Sequence, residues 1–338
     1  MSVLAVLLMA LVAVVSLIGY GALRARVGTA APSIARKAPA SSSVPTVVSP
    51  SAKYMDCTIR EGSLTAADTW VSLVQFNAVT EGPVDVPVDA KYLAGMEIAI
   101  AVEQAGAVSN KISTVVRLSG SALKDGGRYH FLGPVGSAVV LSANGGNMTF
   151  SPPCNYPLAI PLKGANQLTI EAMFPGDDPT DIFIMVRLLF SDQPAPGGFS
   201  EGDVREADLT AVNTDYTLTN VGGDALGNFR VPVGMNTLAA IAYACPFDPG
   251  VAAAVLKLAC AFQLRGDALT YGGTFRFLAP CGTYVAAGTP VGGQAVILPP
   301  TIMRVDLPVK AGNTLEAHAI LLAEDPGDAE GLVGVLYA

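Results

Sequence analysis

Leu118 to Gly136 reads LSGSALKDGGRYHFLGPVG, and Leu264 to Gly282 reads LRGDALTYGGTFRFLAPCG. Ten of these 19 positions are identical without a gap, at a shift of 146 residues. The match extends both ways. Pro161, Lys163, Asn166 and Leu168 recur as Pro308, Lys310, Asn313 and Leu315, while Asp178, Pro179 and Asp181 recur as Asp325, Pro326 and Asp328. Upstream, Arg60, Glu61, Leu64 and Thr65 recur as Arg205, Glu206, Leu209 and Thr210, and Val86-Pro87-Val88 recurs as Val231-Pro232-Val233. A period this long is a duplicated domain; solenoid repeats run to only about 20–50 residues.

The repeat also decides the secondary structure. Ala252 to Leu264 looks helical from its Ala and Leu content, but its counterpart Ile112 to Leu118 (ISTVVRL) is β-branched, so both are expected to be strands. Short apolar or alternating runs follow at Trp70 to Phe76, Val84 to Val88, Met96 to Val102, Arg128 to Leu132, Met148 to Phe150, Leu158 to Leu162, Leu168 to Phe174 and Ile182 to Phe190. Gly-, Asp- and Pro-rich turns separate them. Val135 to Ser142 reads as either a helical turn or an extra strand. The expected fold class is all-β, with two tandem jelly-roll sandwiches preceded by an N-terminal transmembrane helix.

Composition agrees with strands. The 338 residues include 35 Gly and 24 Pro, and only 14% are charged, too few for many solvated helix faces. Hydrophobic residues make up 51%, which excludes a disordered chain, and the net charge of −8 argues against a nucleic-acid coat. The five cysteines are widely spaced without a CxxC pair, so they read as small buried hydrophobes in a reducing compartment.

Ser2 to Leu23 carries no charged side chain. As a helix rising about 1.5 Å per residue it would reach roughly 33 Å, enough to cross a bilayer core. Val3, Leu4, Leu7, Leu8, Leu11, Val14, Val15 and Ile18 would face lipid, with Arg24 and Arg26 at the membrane surface, joined by Arg36 and Lys37. Basic residues on the downstream flank place the following domains in the cytoplasm. The expected organisation is therefore an anchor at 1–27, an Ala/Pro/Ser-rich linker at 28–54, a first jelly roll at 55–192, a linker at 193–202 and a second jelly roll at 203–338.

Enzyme chemistry is sparse. No GxSxG elbow, phosphate loop, GxGxxG turn or HExxH helix occurs. The two histidines, His130 and His318, align with Arg276 and Glu171 in the repeat, and both read as structural. No catalytic residue and no cofactor is expected. The acidic turns supply Asp177, Asp178 and Asp181, and Glu324, Asp325 and Asp328, as weak calcium candidates against the plainer reading of solvated hairpins. Asn147-Met148-Thr149 is a glycosylation sequon that matters only after export. Basic and aromatic residues do not interleave, so specific nucleic-acid readout is not expected.

An anchor followed by two tandem jelly rolls resembles the double jelly-roll major capsid proteins of icosahedral viruses with an internal membrane. The resemblance covers residues 55 to 338 and rests on the duplication and the strand pattern. It implies a homotrimer whose six jelly rolls form a pseudo-hexameric capsomer, with neighbouring capsomers, minor capsid proteins and the viral membrane as partners. It places the protein in the virion shell, assembled in the host cytoplasm. Two departures stand out: the chain is short, and its anchor is N-terminal. The alternative is a membrane-anchored cell-surface binding protein with tandem β-sandwich domains, which would need exposed aromatics. Its one Trp, Trp70, reads as core.

Overall fold

The computed structural model describes residues 54–75, 82–103, 109–139, 152–175, 181–248, 255–279, 282–285, 294–322 and 328–338. Every regular element among them is a β-strand. The expected anchor, nearly all of the 28–54 linker and the strand at Met148 to Phe150 lie outside the described residues.

The first half contributes β1 (Tyr54–Leu64), β2 (Val71–Ser72), β3 (Tyr92–Glu103), β4 (Val115–Ser119), β5 (Tyr129–Leu132), β6 (Cys154–Pro161), β7 (Gln167–Met173) and β8 (Asp181–Ser191). They form two antiparallel sheets, ordered β1-β8-β3-β6 and β2-β7-β4-β5. The second half contributes β9 (Glu201–Leu209), β10 (Asp215–Leu218), β11 (Thr237–Ala244), β12 (Cys260–Arg265), β13 (Thr274–Leu278), β14 (Thr301–Pro308), β15 (Thr314–Leu321) and β16 (Asp328–Tyr337). Its sheets run β9-β16-β11-β14 and β10-β15-β12-β13, the same order strand for strand. Two ambiguous segments are strands. Val135–Val139 is one, and Val255–Leu258 precedes β12.

Each half packs its two sheets face to face, and alternation decides which side chains enter. In β6, Cys154, Tyr156, Leu158 and Ile160 are buried between more exposed neighbours, the period of a strand with one wet face. Strands β11 and β16 are buried on both faces. Ile241, Tyr243, Val333, Val335 and Tyr337 point into the second half's own core, whereas Ala240, Ala242, Ala244, Leu332 and Leu336 join the core of the first half. The two halves therefore share apolar packing and form one compact unit.

The duplication reaches individual hydrogen bonds. Ala122 N donates to Gln167 O at 3.0 Å and Lys163 N to Ala122 O at 2.8 Å; Ala268 N donates to Thr314 O at 3.1 Å and Lys310 N to Ala268 O at 2.8 Å. Both copies begin this turn with a left-handed glycine, Gly120 at φ 123° and Gly266 at φ 129°. A Cβ there would lie 2.5 Å from Gln167 O or from Thr314 O, so both the backbone angle and the close approach require glycine.

The segment at 193–202 is docked rather than loose. Phe199 is 1% exposed, accepts from Ala159 N at 2.7 Å and donates to Pro157 O at 3.0 Å. Arg304 stacks 4.3 Å above its ring and donates to Gly197 O at 2.6 Å. Strand β9 already begins at Glu201, inside the expected linker.

Candidate assembly interface

Among the described residues, a dense set of buried polar contacts lies where the halves meet. Edge strand β5 of the first half runs against β9 and β16 of the second. Gly202 makes this approach possible, because a Cβ there would sit 2.8 Å from the Phe131 ring and 3.0 Å from His130 O. Beside it, His130 Nδ1 lies 3.1 Å from Asp203 Oδ1, which also accepts from Arg205 Nη1 at 2.7 Å and Val204 N at 3.0 Å. Burial alone would raise the Asp203 carboxyl. The hydrogen bonds from His130 and Arg205 and their positive charge outweigh it and hold the group below the usual carboxylate range.

Further along, the halves share a sheet. Gln294–Leu298 of the second half pairs with Val135–Val139 of the first, which pairs in turn with Ser109–Ile112. Lys111, 2% exposed, reaches across to Asp208 at 3.1 Å, and Ser113 reaches Glu330 at 2.8 Å.

Because the halves are copies, every seam residue has a counterpart elsewhere in the chain. Val204 is 1% exposed under the first half; its counterpart Ile59 is 38% exposed. Leu132 is 1% exposed against the second half; its counterpart Leu278 is 68% exposed. Met185 and Leu189, the counterparts of seam residues Leu332 and Leu336, are only partly buried. Among the described residues, two faces are thus left without such a cover. One is the outer side of β1, β8 and β3, where Arg187 pairs with Glu97 amid apolar neighbours. The other is the edge of β13. Each matches a surface that the seam covers.

Arg60 and Arg205, recognised as repeated positions, do the same work in each half. Arg60 donates to Gly82 O at 2.9 Å and Pro83 O at 3.3 Å, and Arg205 donates to Gly227 O at 2.7 Å. Each buried guanidinium satisfies loop carbonyls that would otherwise lack a donor.

The structure places the expected site residues unevenly. The membrane set from Val3 to Arg26 lies outside the described residues, as do Asp177, Asp178, Glu324 and Asp325. Asp181 and Asp328 open β8 and β16, with only their backbones described. Among the described residues, no group of three or more His, Cys, Asp or Glu is placed to hold a metal ion.

His318 sits buried with Nδ1 3.0 Å from Asp215 and Nε2 3.4 Å from Glu316. Trp70 packs against the first half's core, but it precedes β2 rather than lying within a strand, is only partly buried, and carries Arg117 at 4.1 Å over its ring. Arg117 is itself paired with Glu171 across β4 and β7. Cys154 and Cys260 are buried as expected, and burial pushes the Cys154 thiol up to about 12. Cys57 is exposed instead, since it projects from the open face at the position that Gly202 occupies in the seam.

Sequence reasoning missed Ser113, Asp203, Glu206 and Glu330 as seam residues. One signal was present: Arg128-Tyr129-His130 differs from Thr274-Phe275-Arg276 between identical Gly-Gly and Phe-Leu pairs, marking a strand whose neighbours differ between the halves. Comparison with protein-family models found no match, and comparison with curated proteins found none.

Proposed function

We propose that the chain is a major capsid protein, a shell building block of two jelly rolls, three copies of which close a six-lobed ring, with its N-terminal apolar segment held in an internal membrane. Strand order supports the jelly roll. Counting eight strands in each half, the first neighbours the eighth, the second the seventh, the third the sixth and the fourth the fifth. That is a long antiparallel hairpin rolled into a sandwich.

The observation that carries the assembly is the pairing of open faces with seam faces. The contact between halves is heterologous, an edge against a sheet face, and such contacts build closed rings or open filaments. A neighbouring chain that repeats the internal relationship would seat its outer β1–β8–β3 face on the free β13 edge, covering Ile59 and Leu278. A near-sixfold ring then closes with three chains. The small charged fraction, 14%, suits wide lateral interfaces, where Lys and Glu are depleted.

The test is the molar mass of the full-length chain in mild detergent, by light scattering after size exclusion, for wild type and Leu278→Asp. A wild-type trimer that the substitution dissociates supports the reading. A wild-type monomer at every concentration discards it. The alternative of a surface binding protein draws no support from Trp70, whose ring face is covered by Arg117.

A further inference from the structure

The seam buries two carboxyl groups that shell assembly does not require. Glu330 on β16 is 2% exposed and Glu206 on β9 is 7% exposed. Asp208 stands directly opposite Glu330 in the strand register, so Glu206, Asp208 and Glu330 share the sheet face that meets the first half.

From the first half, fully buried Ser113 places its Oγ 2.8 Å from Glu330 Oε2 and 2.9 Å from Pro175 O. A serine hydroxyl has one proton, and a carbonyl can only accept. When Ser113 donates to Pro175, Glu330 must donate to Ser113 and is therefore a neutral acid. When Ser113 donates to Glu330 instead, the buried Pro175 carbonyl loses that donor.

Glu206 adds a second constraint. Its Oε1 accepts from Gly222 N at 2.8 Å, while its Oε2 is buried with no N–H or hydroxyl to accept from. What it meets is the Glu330 carboxyl. Two carboxylates in contact away from water repel; one proton between them turns the contact into a hydrogen bond.

The surrounding charges do not remove this need. Lys111, paired with Asp208, draws Glu330 downward, but burial and the Glu206 charge outweigh it and hold Glu330 well above the usual carboxylate range. Burial, with smaller contributions from Asp68 and Asp208, pushes Glu206 up to about 7. Asp248 lies on the short strand Phe247–Asp248, which pairs with β16 at Ala329 and Asp328.

We propose that the Glu206–Glu330 pair is a proton-operated latch: its proton ties Ser113 and Pro175 of the first half to β16 of the second, and transfer of that proton to hydroxide in alkaline solution loosens the seam. Carboxyl groups raised by the fold stabilise it below their unfolded value, and that stability is lost as pH rises through the folded values. The latch therefore holds in neutral and mildly acidic solution and is lost above it.

Infrared spectroscopy of the full-length chain in detergent at about pH 8 reads the proton directly, because Glu201 and Glu206, each near 7, are by then largely ionised. The wild type is expected to show the C=O stretch of a neutral carboxylic acid, and Glu330→Gln to lack it. The melting temperature of the wild type is expected to fall between pH 6 and pH 9 by more than that of Glu330→Gln, in which Glu201 still titrates. A wild-type spectrum without the acid band, a band unchanged in Glu330→Gln, or equal falls in melting temperature would each overturn the latch. Should Glu330→Gln fail to fold, the wild-type band alone decides, present for the latch and absent against it.

Discussion

Leu132 and Leu278 occupy the same position in the two halves, at the end of the same edge strand, yet one is 1% exposed and the other 68%. Their chemistry is identical, so only the neighbour differs: the second half lies over Leu132, and Leu278 faces outward. Leu132→Ala is expected to cost about 2–5 kcal/mol through the cavity it leaves. Leu278→Ala is expected to stay within about 0.5 kcal/mol in the dissociated chain. Urea melts of the two variants check the contrast.

Cys57 reports on assembly from the opposite face. It is exposed at the position where Gly202 closes against Phe131 and His130 inside the chain. Alkylation of Cys57 is expected to slow by on the order of tenfold when chains associate, because reaction requires an accessible thiolate. Mass spectrometry of labelled protein at low and high concentration measures the change, and equal rates would place Cys57 outside any contact between copies.

The paired glycines predict a graded series. Gly120→Ala and Gly266→Ala combine left-handed backbone with a Cβ 2.5 Å from a carbonyl oxygen, whereas Gly126, at φ 70°, has open space around it. The first two substitutions are expected to destabilise by about 1–3 kcal/mol or more, and Gly126→Ala by less. Thermal melts should rank Gly126→Ala as the mildest of the three.

Acid should attack the seam at Asp203. Its carboxyl is held below its ordinary value, so the stability it contributes is present above the unfolded value and lost as pH falls through the lower folded one. Asp203→Asn is expected to lower stability at neutral pH and to flatten the acid limb, below about pH 4, of the stability profile. A variant with an unchanged acid limb would show that Arg205 and His130 do not depend on that charge.

The repeated LxGxAL…GG…FLxP stretch made the all-β class readable, because one copy's β-branched strand settled the other copy's helix-like composition. The chain's own alternation was enough to locate β6, β7 and β8 to within a few residues. Trp70 does pack against the core, but an apolar run does not say what covers the other ring face, and that cover is the Arg117 guanidinium. The seam was unreadable for a related reason. Glu206 and Glu330 look like ordinary wet-face residues of strands until the first half lies over them, and no pattern within one strand encodes what another domain places on it. Gly334 and the alternate alanines of β11 were a second hint, since small residues on an outward face leave room for a neighbour.

The docked segment at 193–202 has a kinetic consequence. A short covalent connection holds its two ends at an effective concentration of about millimolar, far above that of separate chains in a cell. The pinning of Phe199 and Gly197 narrows the search further. Within each molecule the halves therefore find each other before either meets a stranger, and surfaces that could cross-pair in the wrong order are already occupied. Any larger architecture starts from finished units of one polarity, so growth is ordered in time as well as in space.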